Sequence, residues 1–557
     1  MRKIVSLHDA VARTVQRGAT VLFAFTHNRS HAAAFEVARQ FRDQRCLTLA
    51  ATGLLEYASI LVSAGAVARL ESAFAGGTYP APAPSRVLQR HIDASGDNDP
   101  DWTNLTMTLR LMAGAMGWPF VPTMSLSGSS LWSDRSRANV ADPFTGKPAA
   151  VIAALRPDVT FVHVPLADTL GNAVVHGPDA EDGWGVWAAK RVVITADRIV
   201  SPEELRRIGP RTGIAAHRVD FVVEVPFGAH PQGQFVWSEA EGVASYAEDY
   251  EFRRTLRSLS REPAALRAWV EEWVFGTDHA SYVARLGPAR LENLRQEAIA
   301  PTPAPPRGAE APASPEERAA VLAMRLAADE ARAGRAQSFF AGIGLAHLAA
   351  WAAERHCRDA GVDVALIAET GMVGFRPIEG DPYLFNRPNA ASSLFHNNFV
   401  QTLAVLAGPG ARNCLALLAA AQIDACGNVN SSRSSDGSFI VGSGGANDLG
   451  NGAASCMVVM PLKEGRFVET LPFKTTPIRH HAGVATDLGM LERDERGLLR
   501  VRGVLCEPGM EGSTLAEINR RCGRAITATP SLERFDPPSA QELASLRRFD
   551  PQRAILA

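Results

Sequence analysis

Short apolar runs alternate with longer amphipathic stretches along most of this chain. Runs rich in valine, isoleucine and leucine at residues 159–164, 191–195, 364–368 and 455–460 are typical of buried parallel strands. The stretches between such runs are longer and have helical periodicity. This alternation predicts an α/β fold with mostly parallel sheets.

A proline-rich segment interrupts the pattern near the middle of the chain. Residues 298–315 are rich in proline and alanine and lack hydrophobic periodicity, which predicts a semi-rigid linker. The full length of 557 residues is also too great for a single hydrophobic core. We therefore predict one domain at residues 1–297, a linker at 298–318 and a second domain at 319–557.

A short internal repeat suggests that the two halves are related by duplication. The pattern Asp-x-x-Gly-Asn occurs at residues 168–172 and again at 424–428, each time after a strand-like apolar run. Asp and Gly-Asn are ordinary turn residues, so the motif alone could arise by chance. Its equivalent place in both halves favours two tandem domains of the same type.

Composition excludes several classes of function. The formal net charge is -2 and the chain has no long basic block, so we expect no nucleic-acid partner. No apolar run reaches the roughly 18 residues that span a bilayer, and the first residues lack an apolar leader, so we expect a cytoplasmic protein without a membrane partner. The seven cysteines are scattered without a Cys-x-x-Cys pair, which predicts reduced thiols, no disulfide and no structural zinc.

Glu369 is the strongest candidate for a catalytic residue. It follows the apolar run at 364–368 and precedes Gly371, so the carboxylate should lie at the carboxyl edge of a sheet, where open α/β sheets bind ligands. Downstream, the glycine-rich segment 442–448 could bring the backbone N–H groups of Gly445 and Ala446 close to a reacting carbonyl. Each feature alone has a simpler explanation, a helix-start acid or a plain turn. Together they favour acyl transfer with a carboxylate nucleophile.

A second glycine motif leaves another interpretation open. Residues 339–353 predict a strand, a turn containing Gly342 and Gly344, and a helix whose N-terminus favours an anionic ligand. In a dinucleotide-binding fold Glu369 would then hold a ribose, and the protein would be an NAD-dependent dehydrogenase. The third glycine of that motif is replaced by His347, which weakens this alternative. A change in the fluorescence of a reduced nicotinamide would reveal it.

The motifs in combination resemble a known family. Those of the second half, namely 342–344, 369–371, 422–430 and 442–448, resemble the β subunit of family I coenzyme A transferases, nearest to the glutaconate CoA-transferase branch. The first half resembles the α subunit of the same branch. The segments that carry this second resemblance are 25–27, 111–120, 142–144, 155–158 and 188–191. The chain thus resembles an α and a β subunit fused across the linker, with two open α/β domains.

The resemblance implies the reaction and its participants. Coenzyme A would pass from an acyl-CoA to a free carboxylic acid by a ping-pong mechanism, through a glutamyl-CoA thioester on Glu369. Coenzyme A is then a substrate and covalent intermediate, and no permanent cofactor or metal is implied. Gly445 and Ala446 would supply the oxyanion donors, and a homodimer is the expected assembly. The residues implied to contact coenzyme A are Gly342, Gly344, Gln422, Asn428 and Gly444.

The α-subunit loop that shapes the acyl pocket in such enzymes departs from the usual pattern. Thr26 and His27 match it, but Asn28, Arg29 and Ser30 stand where related enzymes carry apolar residues. Arg29 either binds a distal carboxylate of the acyl group or points to solvent and pairs with an acid such as Glu36.

Two functions other than acyl transfer and dehydrogenation stay open. One is an acyl-CoA thioester hydrolase on the same fold, in which water would reach the glutamyl thioester. The other is a metabolite-sensing domain of the kind that is coupled to a DNA-binding helix-turn-helix.

Overall fold

Two large mixed sheets, one in each half of the chain, form the framework. The structure is a computed structural model that describes residues 3–24, 27–133, 135–209, 213–237, 242–301 and 311–557. Within these ranges the first half has an eight-stranded sheet and the second half a ten-stranded sheet. Most strand pairs in both sheets are parallel. The predicted α/β fold with mostly parallel sheets is confirmed.

The first half begins with short strands and helices in alternation. Its described strands are β1 (Thr20–Phe23), β2 (Leu47–Leu54), β3 (Val67–Ala75), β4 (Phe120–Pro122), β5 (Arg137–Ala141), β6 (Pro148–Ala153), β7 (Val159–Asp168), β8 (Ala173–Val174), β9 (Arg191–Val200), β10 (Gly213–Ile214) and β11 (Phe221–Glu224). Its described helices are α1 (Leu7–Thr14), α2 (His31–Gln40), α3 (Glu56–Ser63), α4 (Arg86–Asp93), α5 (Asn104–Ala115), α6 (Asp182–Ala188), α7 (Pro202–Ile208), α8 (Tyr250–Leu259), α9 (Pro263–Val270), α10 (His279–Leu286) and α11 (Pro288–Ile299). A π-helical segment, Glu271–Phe275, continues α9.

The second half follows the same plan. Its strands are β12 (Ser338–Ala341), β13 (Ala365–Ile367), β14 (Met372–Val373), β15 (Phe395–His396), β16 (Cys414–Ala419), β17 (Gln422–Asp424), β18 (Val429–Asn430), β19 (Ser455–Val459), β20 (Phe467–Val468), β21 (His481–Ala485), β22 (Gly489–Arg493), β23 (Leu499–Leu505) and β24 (Ala528–Phe535). Its helices are α12 (Pro315–Arg332), α13 (Leu345–Asp359), α14 (Arg387–Ala391), α15 (Ala446–Gly452), α16 (Glu511–Cys522) and α17 (Ala540–Phe549), with a π-helical segment at Val400–Leu406.

Central parallel strands explain the apolar runs in the sequence. Strand β7 is buried at every position and is parallel to β1 and β9. In the second half β12 lies between β13 and β16 and is parallel to both. Strands covered by helices on both faces bury their side chains on both sides, which produces continuous apolar runs instead of alternation.

The repeated Asp-x-x-Gly-Asn motif forms the same turn in both halves. Asp168 Oδ1 accepts a hydrogen bond from the backbone N–H of Asn172 at 2.9 Å, and Asp424 Oδ1 accepts one from that of Asn428 at 2.8 Å. In each turn the asparagine Nδ2 also donates to the aspartate Oδ2. The turns join β7 to β8 and β17 to β18, which are antiparallel pairs. This shared geometry supports the predicted duplication.

The end of the predicted linker forms the start of a helix. Residues 302–310 lie outside the described part of the chain. Ser314 caps α12 because its hydroxyl accepts from the N–H of Glu317, while the Glu317 carboxylate accepts in return from the N–H of Ser314. Pro315 occupies the first turn, so the last proline of the segment starts α12, inside the range 298–318. The division of the chain into domains stays a prediction.

The two halves meet along a polar and aromatic boundary. Tyr250 donates a hydrogen bond to Asp381 across it at 2.6 Å, and Arg433 pairs with Asp101 at 2.9 Å.

None of the helices in the ranges described above combines the length and apolar character needed to cross a bilayer.

Candidate active site

A cavity of about 460 Å³ lies where the two halves meet. Its walls are largely apolar and include residues of both sheets. The first half contributes Arg29, Thr52, Gly53, Leu55, Phe74, Thr78, Ala81, Pro82 and Asn104. The second half contributes Glu369 and the two glycine segments 342–344 and 442–445, among others. The carboxyl ends of the parallel strands thus surround the cavity, as expected for a ligand site in an open α/β sheet.

Glu369 lies in a tight turn between β13 and β14. The N–H of Gly371 donates to the carbonyl of Ala368 at 3.0 Å, and the N–H of Ala368 donates to the carbonyl of Met372 at 2.9 Å. Gly371 has φ 110°, and a Cβ at this position would overlap the carbonyl oxygen of Asn397. Only glycine fits this turn, and the turn presents the Glu369 carboxylate to the cavity.

Burial makes the Glu369 carboxyl unusually basic. Removal from water raises its pKa to about 7, and the nearby Asp448 contributes to the same shift. The N–H of Gly445 opposes this shift by donating to Glu369 Oε2 at 3.1 Å. The side-chain amide of Asn104 also lowers the pKa of Glu369. Glu369 therefore ionises near neutral pH, and the Gly445 N–H is already directed at its carboxylate.

The glycine segment 442–445 fits tightly against the first half. The N–H of Gly444 donates to the carbonyl of Ala73 at 3.0 Å, and the N–H of Asn104 donates to the carbonyl of Gly444 at 3.0 Å. A Cβ at Gly445 would lie 2.6 Å from Glu369 Oε2. Glycine at this position is what allows the backbone N–H to reach the carboxylate.

Asp448 holds the N-terminus of α5 beside Glu369. Its buried carboxylate accepts from Thr103 Oγ1 and Ser125 Oγ, each at 2.6 Å, and from the N–H of Leu105 at 3.1 Å. Burial raises the pKa of Asp448 to about 7, although these three donors lower it. Through Asp448 the second half fixes Asn104, the first residue of α5.

Much of the first half of the chain matches the model of a known protein family. The model is that of the coenzyme A transferases, and it matches residues 4–222. A glutaconate CoA-transferase subunit from Acidaminococcus fermentans is 29% identical over 53% of this chain and 95% of its own length. Residues 4–222 of the chain thus match the coenzyme A transferase family, and the first half is similar to a subunit of such an enzyme.

Other proteins similar to the first half have different names. A subunit of a cholesterol ring-cleaving hydrolase from Mycobacterium tuberculosis is 29% identical over 52% of this chain and 99% of its own length. An uncharacterized protein from Archaeoglobus fulgidus is 31% identical over 53% of this chain, which spans 64% of that protein. Similarity to these proteins therefore does not by itself give the reaction or the substrate.

A solved structure shows the fold over both halves. An Escherichia coli acyl-CoA transferase, in a thioester complex with CoA, has a TM-score of 0.64 and covers 97% of this chain and 96% of its own. The identity of 15% supports likeness of fold alone. The first half is therefore related in sequence to coenzyme A transferase subunits, and both halves together have the fold of an acyl-CoA transferase.

Three of the five residues expected to contact coenzyme A line the cavity of this transferase-family fold. They are Gly342, Gly344 and Gly444. Gln422 and Asn428 do not line it: Gln422 Nε2 donates to the carbonyl of Gly465 at 3.1 Å, and Asn428 completes the Asp424 turn. His347 accepts from the N–H of Gly344 through Nδ1 at 2.8 Å, so it caps α13 where a dinucleotide-binding motif would have glycine.

The predicted oxyanion donors are both engaged in this structure. Gly445 N–H is bound to Glu369 itself, and Ala446 N–H donates to the carbonyl of Ser443 at 3.1 Å. Asn104 and Asp448 were not predicted as site residues with these roles. For Asn104 the available signal was its place directly after Thr103, a helix-capping residue, but nothing near it in the sequence connects it to Glu369.

The predicted acyl-pocket residues have different environments. Arg29 is fully buried, lines the cavity and pairs with Glu181 at 3.5 Å between Nη2 and Oε1. It therefore neither points to solvent nor pairs with Glu36, which binds Arg39 instead. His27 is buried, and burial lowers its pKa to about 3. Thr26 lies outside the described residues.

Two carboxylates and two amide donors are the chemically useful groups at this site. Within the described residues no group of three or more His, Cys, Asp or Glu side chains could hold a metal ion. A basic, poorly hydrated carboxylate beside fixed N–H donors can act as a nucleophile toward a carbonyl carbon.

We expect Gly445→Ala to displace the Glu369 carboxylate, because the new methyl group would lie 2.6 Å from Oε2. Misplacement of a reacting group by about 1 Å can cost roughly 100-fold in rate, so kcat for acyl-CoA turnover should fall by about that factor. Gly96→Ala is the matched control, since a Cβ there meets no atom within 4 Å. Equal activity of the two variants with unchanged thermal stability would contradict the prediction.

The raised pKa of Glu369 predicts a pH-dependent gain in stability when its charge is removed. Folding favours the protonated carboxyl, so ionisation costs stability as the pH rises from the ordinary pKa of 4.5 to about 7, and the full cost applies above 7. Glu369→Gln keeps an oxygen for the Gly445 N–H. It should raise the free energy of unfolding at pH 8 by on the order of 1–3 kcal/mol and leave it unchanged near pH 4.

Urea unfolding at both pH values tests this effect, with substitution of the exposed residue Glu495, Glu495→Gln, as the control. An equal gain in the free energy of unfolding at pH 4 and pH 8, or a loss at pH 8, would show that the charge of Glu369 does not destabilise the fold.

Proposed function

We propose that this protein transfers coenzyme A from an acyl-CoA thioester to a free carboxylic acid, with Glu369 as the nucleophile. The observation that carries the proposal is the Gly445 N–H fixed on the carboxylate of Glu369 inside a cavity between the halves. This arrangement supplies a basic carboxylate, a backbone donor and partial shelter from water in one place.

In the first step Glu369 attacks the thioester carbonyl carbon through one carboxylate oxygen. The C–S bond breaks, and the products are a mixed anhydride on Glu369 and CoA thiolate. The thiolate then attacks Cδ of Glu369, and the acyl carboxylate leaves. The resulting glutamyl-CoA thioester is attacked by a second carboxylate, and the same two steps in reverse deliver the new acyl-CoA and restore Glu369.

The Gly445 N–H has a defined part in this sequence. If the other oxygen makes the attack, Oε2 becomes the carbonyl oxygen of the anhydride and of the glutamyl thioester. Attack of the thiolate at Cδ places negative charge on Oε2, where Gly445 N–H already donates. Loss of such a donor typically costs about 3–4 kcal/mol of transition-state stabilisation. Gly445 thus acts on the oxyanion formed on the enzyme, and the Asn104 amide is a second donor beside it.

An acyl-CoA thioester hydrolase is the second candidate. The relative named as a ring-cleaving hydrolase shows that hydrolases occur among similar proteins, although ring cleavage is a different reaction from thioester hydrolysis. Glutamyl thioester hydrolysis would need the same nucleophile and donors, with water as the acceptor. The homodimer and the cytoplasmic location stay predictions.

Incubation with acyl-CoA alone should leave coenzyme A attached to Glu369. Borohydride reduces a glutamyl thioester to an alcohol, so mass spectrometry should find this change in the peptide containing Glu369 and nowhere in Glu369→Gln. An unmodified peptide from enzyme that is turning over would refute the mechanism. Release of free thiol without an acid acceptor, at a rate matching CoA exchange, would favour the hydrolase.

Arg29 is expected to select acyl groups with a distal carboxylate. Removing Arg29 alone would leave Glu181 buried and without this cation, which typically costs about 3–5 kcal/mol, so the informative variant is Arg29→Met combined with Glu181→Gln. We expect its KM for glutaryl-CoA to rise about tenfold or more, with KM for pentanoyl-CoA nearly unchanged.

Glu181→Gln alone is the control for this comparison, because it keeps the guanidinium. Equal changes for the two acyl-CoAs, measured as initial rates of CoA exchange, would show that Arg29 only maintains the fold.

A further inference from the structure

Arg466 provides a positive charge at the cavity that is not balanced locally. It lies just before β20 and, with Arg29, is one of the two arginines among the described residues that line the cavity. Its side chain is half-buried and makes no hydrogen bond or ion pair with another residue in the described ranges. Arg29, by contrast, is fully buried against Glu181.

The acidic residues of the same region are already paired with other cations. Glu316, which also lines the cavity, binds Lys463 at 2.9 Å. The two acids nearest to Arg466 in the sequence each pair with an arginine in or just after α16, namely Arg520 for Glu464 and Arg524 for Glu469. Arg466 therefore keeps its charge available for a ligand.

The backbone around Arg466 is held firmly on β17. The N–H of Ile423 donates to the carbonyl of Arg466 at 2.8 Å, and Gln422 Nε2 donates to the carbonyl of Gly465 at 3.1 Å. The N–H of Arg466 closes the turn by donating to the carbonyl of Lys463 at 3.1 Å. Gln422, one of the residues predicted to contact coenzyme A, fixes the turn that carries this arginine.

Small and apolar residues line the cavity together with Glu369 and Arg466. Gly342, Ile343, Ala419 and Ala420 leave room for a narrow chain and offer it little charge. The pantetheine arm of coenzyme A is such a chain, with a thiol at one end and phosphate at the other. A guanidinium matches the geometry of a phosphate group through paired N–H donors.

We propose that Arg466 binds a phosphate group of coenzyme A while the sulfur reaches Glu369. This inference rests on the proposed function, because it takes acyl-CoA to be the substrate. Arg466 would act in binding and alignment, and the bond-making steps would remain at Glu369. Contacts remote from the reacting atoms can hold the thioester in place for attack.

The test measures KM of Arg466→Met and of the unaltered protein for four thioesters of the same acyl group. The thiols of these thioesters are coenzyme A, its 3′-dephospho form, 4′-phosphopantetheine and pantetheine. We expect the variant to raise KM for acyl-CoA by about 10- to 100-fold, the value of one hydrogen-bonded charge, and to leave KM for acylpantetheine unchanged. The four thiols lose phosphate groups in the order given. The first thiol for which the two proteins have equal KM values therefore identifies the phosphate that Arg466 binds. Equal losses on all four thiols, or no loss on acyl-CoA, would overturn the proposal.

Arg412→Met is the matched control, since Arg412 is exposed, has no partner among the described residues and does not line the cavity. It should behave as the unaltered protein on all four thiols. A carboxylate is the other anion that Arg466 could bind. A rise in KM for the acid acceptor alone would assign Arg466 to that acid and refute the phosphate contact.

Calorimetric binding of coenzyme A to Glu369→Gln separates this inference from the proposed function. Binding that is at least tenfold weaker after Arg466→Met in that background supports the phosphate contact without requiring any turnover. If the unaltered protein forms no adduct on Glu369 yet binds coenzyme A through Arg466, the proposed mechanism fails and this inference stands. Undiminished binding after Arg466→Met would refute it.

Discussion

The buried carboxylate of Asp448 is the contact on which the geometry of the site depends. It is placed by the first turn of α15 in the second half, and its three donors, Thr103, Leu105 and Ser125, all belong to the first half. A hydrogen bond to a charged group contributes about 1.5–3 kcal/mol, and loss of a buried acceptor would also leave three donors without this partner. Asp448 thus fixes α5 against the glycine segment that carries Gly445.

This arrangement gives each half a separate task at Glu369. The second half supplies the nucleophile, the turn that presents it and the Gly445 N–H. The first half supplies Asn104 and closes one side of the cavity, and it contributes Arg29 to the region expected to hold the acyl group. Because Asp448 is close enough to raise the pKa of Glu369, the contact that joins the halves also tunes the nucleophile.

Local sequence features predicted the elements and the turn that carries Glu369 well. The run before Glu369, the two glycine motifs and the Asp-x-x-Gly-Asn repeat each depend on residues a few positions apart, and the structure has the strands and turns that they indicate. The start of α12 was also readable, since Ser314, Pro315 and Glu317 form a capping pattern. The proline-rich composition of the preceding residues obscured it.

The partners of the nucleophile could not be read in the same way. Thr103 and Asp448 are 345 residues apart, and no spacing rule relates positions so distant. Gln422 shows a different limit: its place in the motif is informative, but its amide binds the backbone of Gly465 and not the cavity. A motif indicates which residues matter more reliably than it indicates what their side chains touch.

The presence of both halves in one chain has a consequence for how the site assembles. Where two separate chains must associate, the concentration of complete sites falls on dilution. Here Asn104 and Glu369 belong to the same molecule, so their encounter is intramolecular and is governed by an effective concentration, which for short flexible connections is in the millimolar range. The two sides of the cavity are therefore made in equal numbers and stay together at any protein concentration.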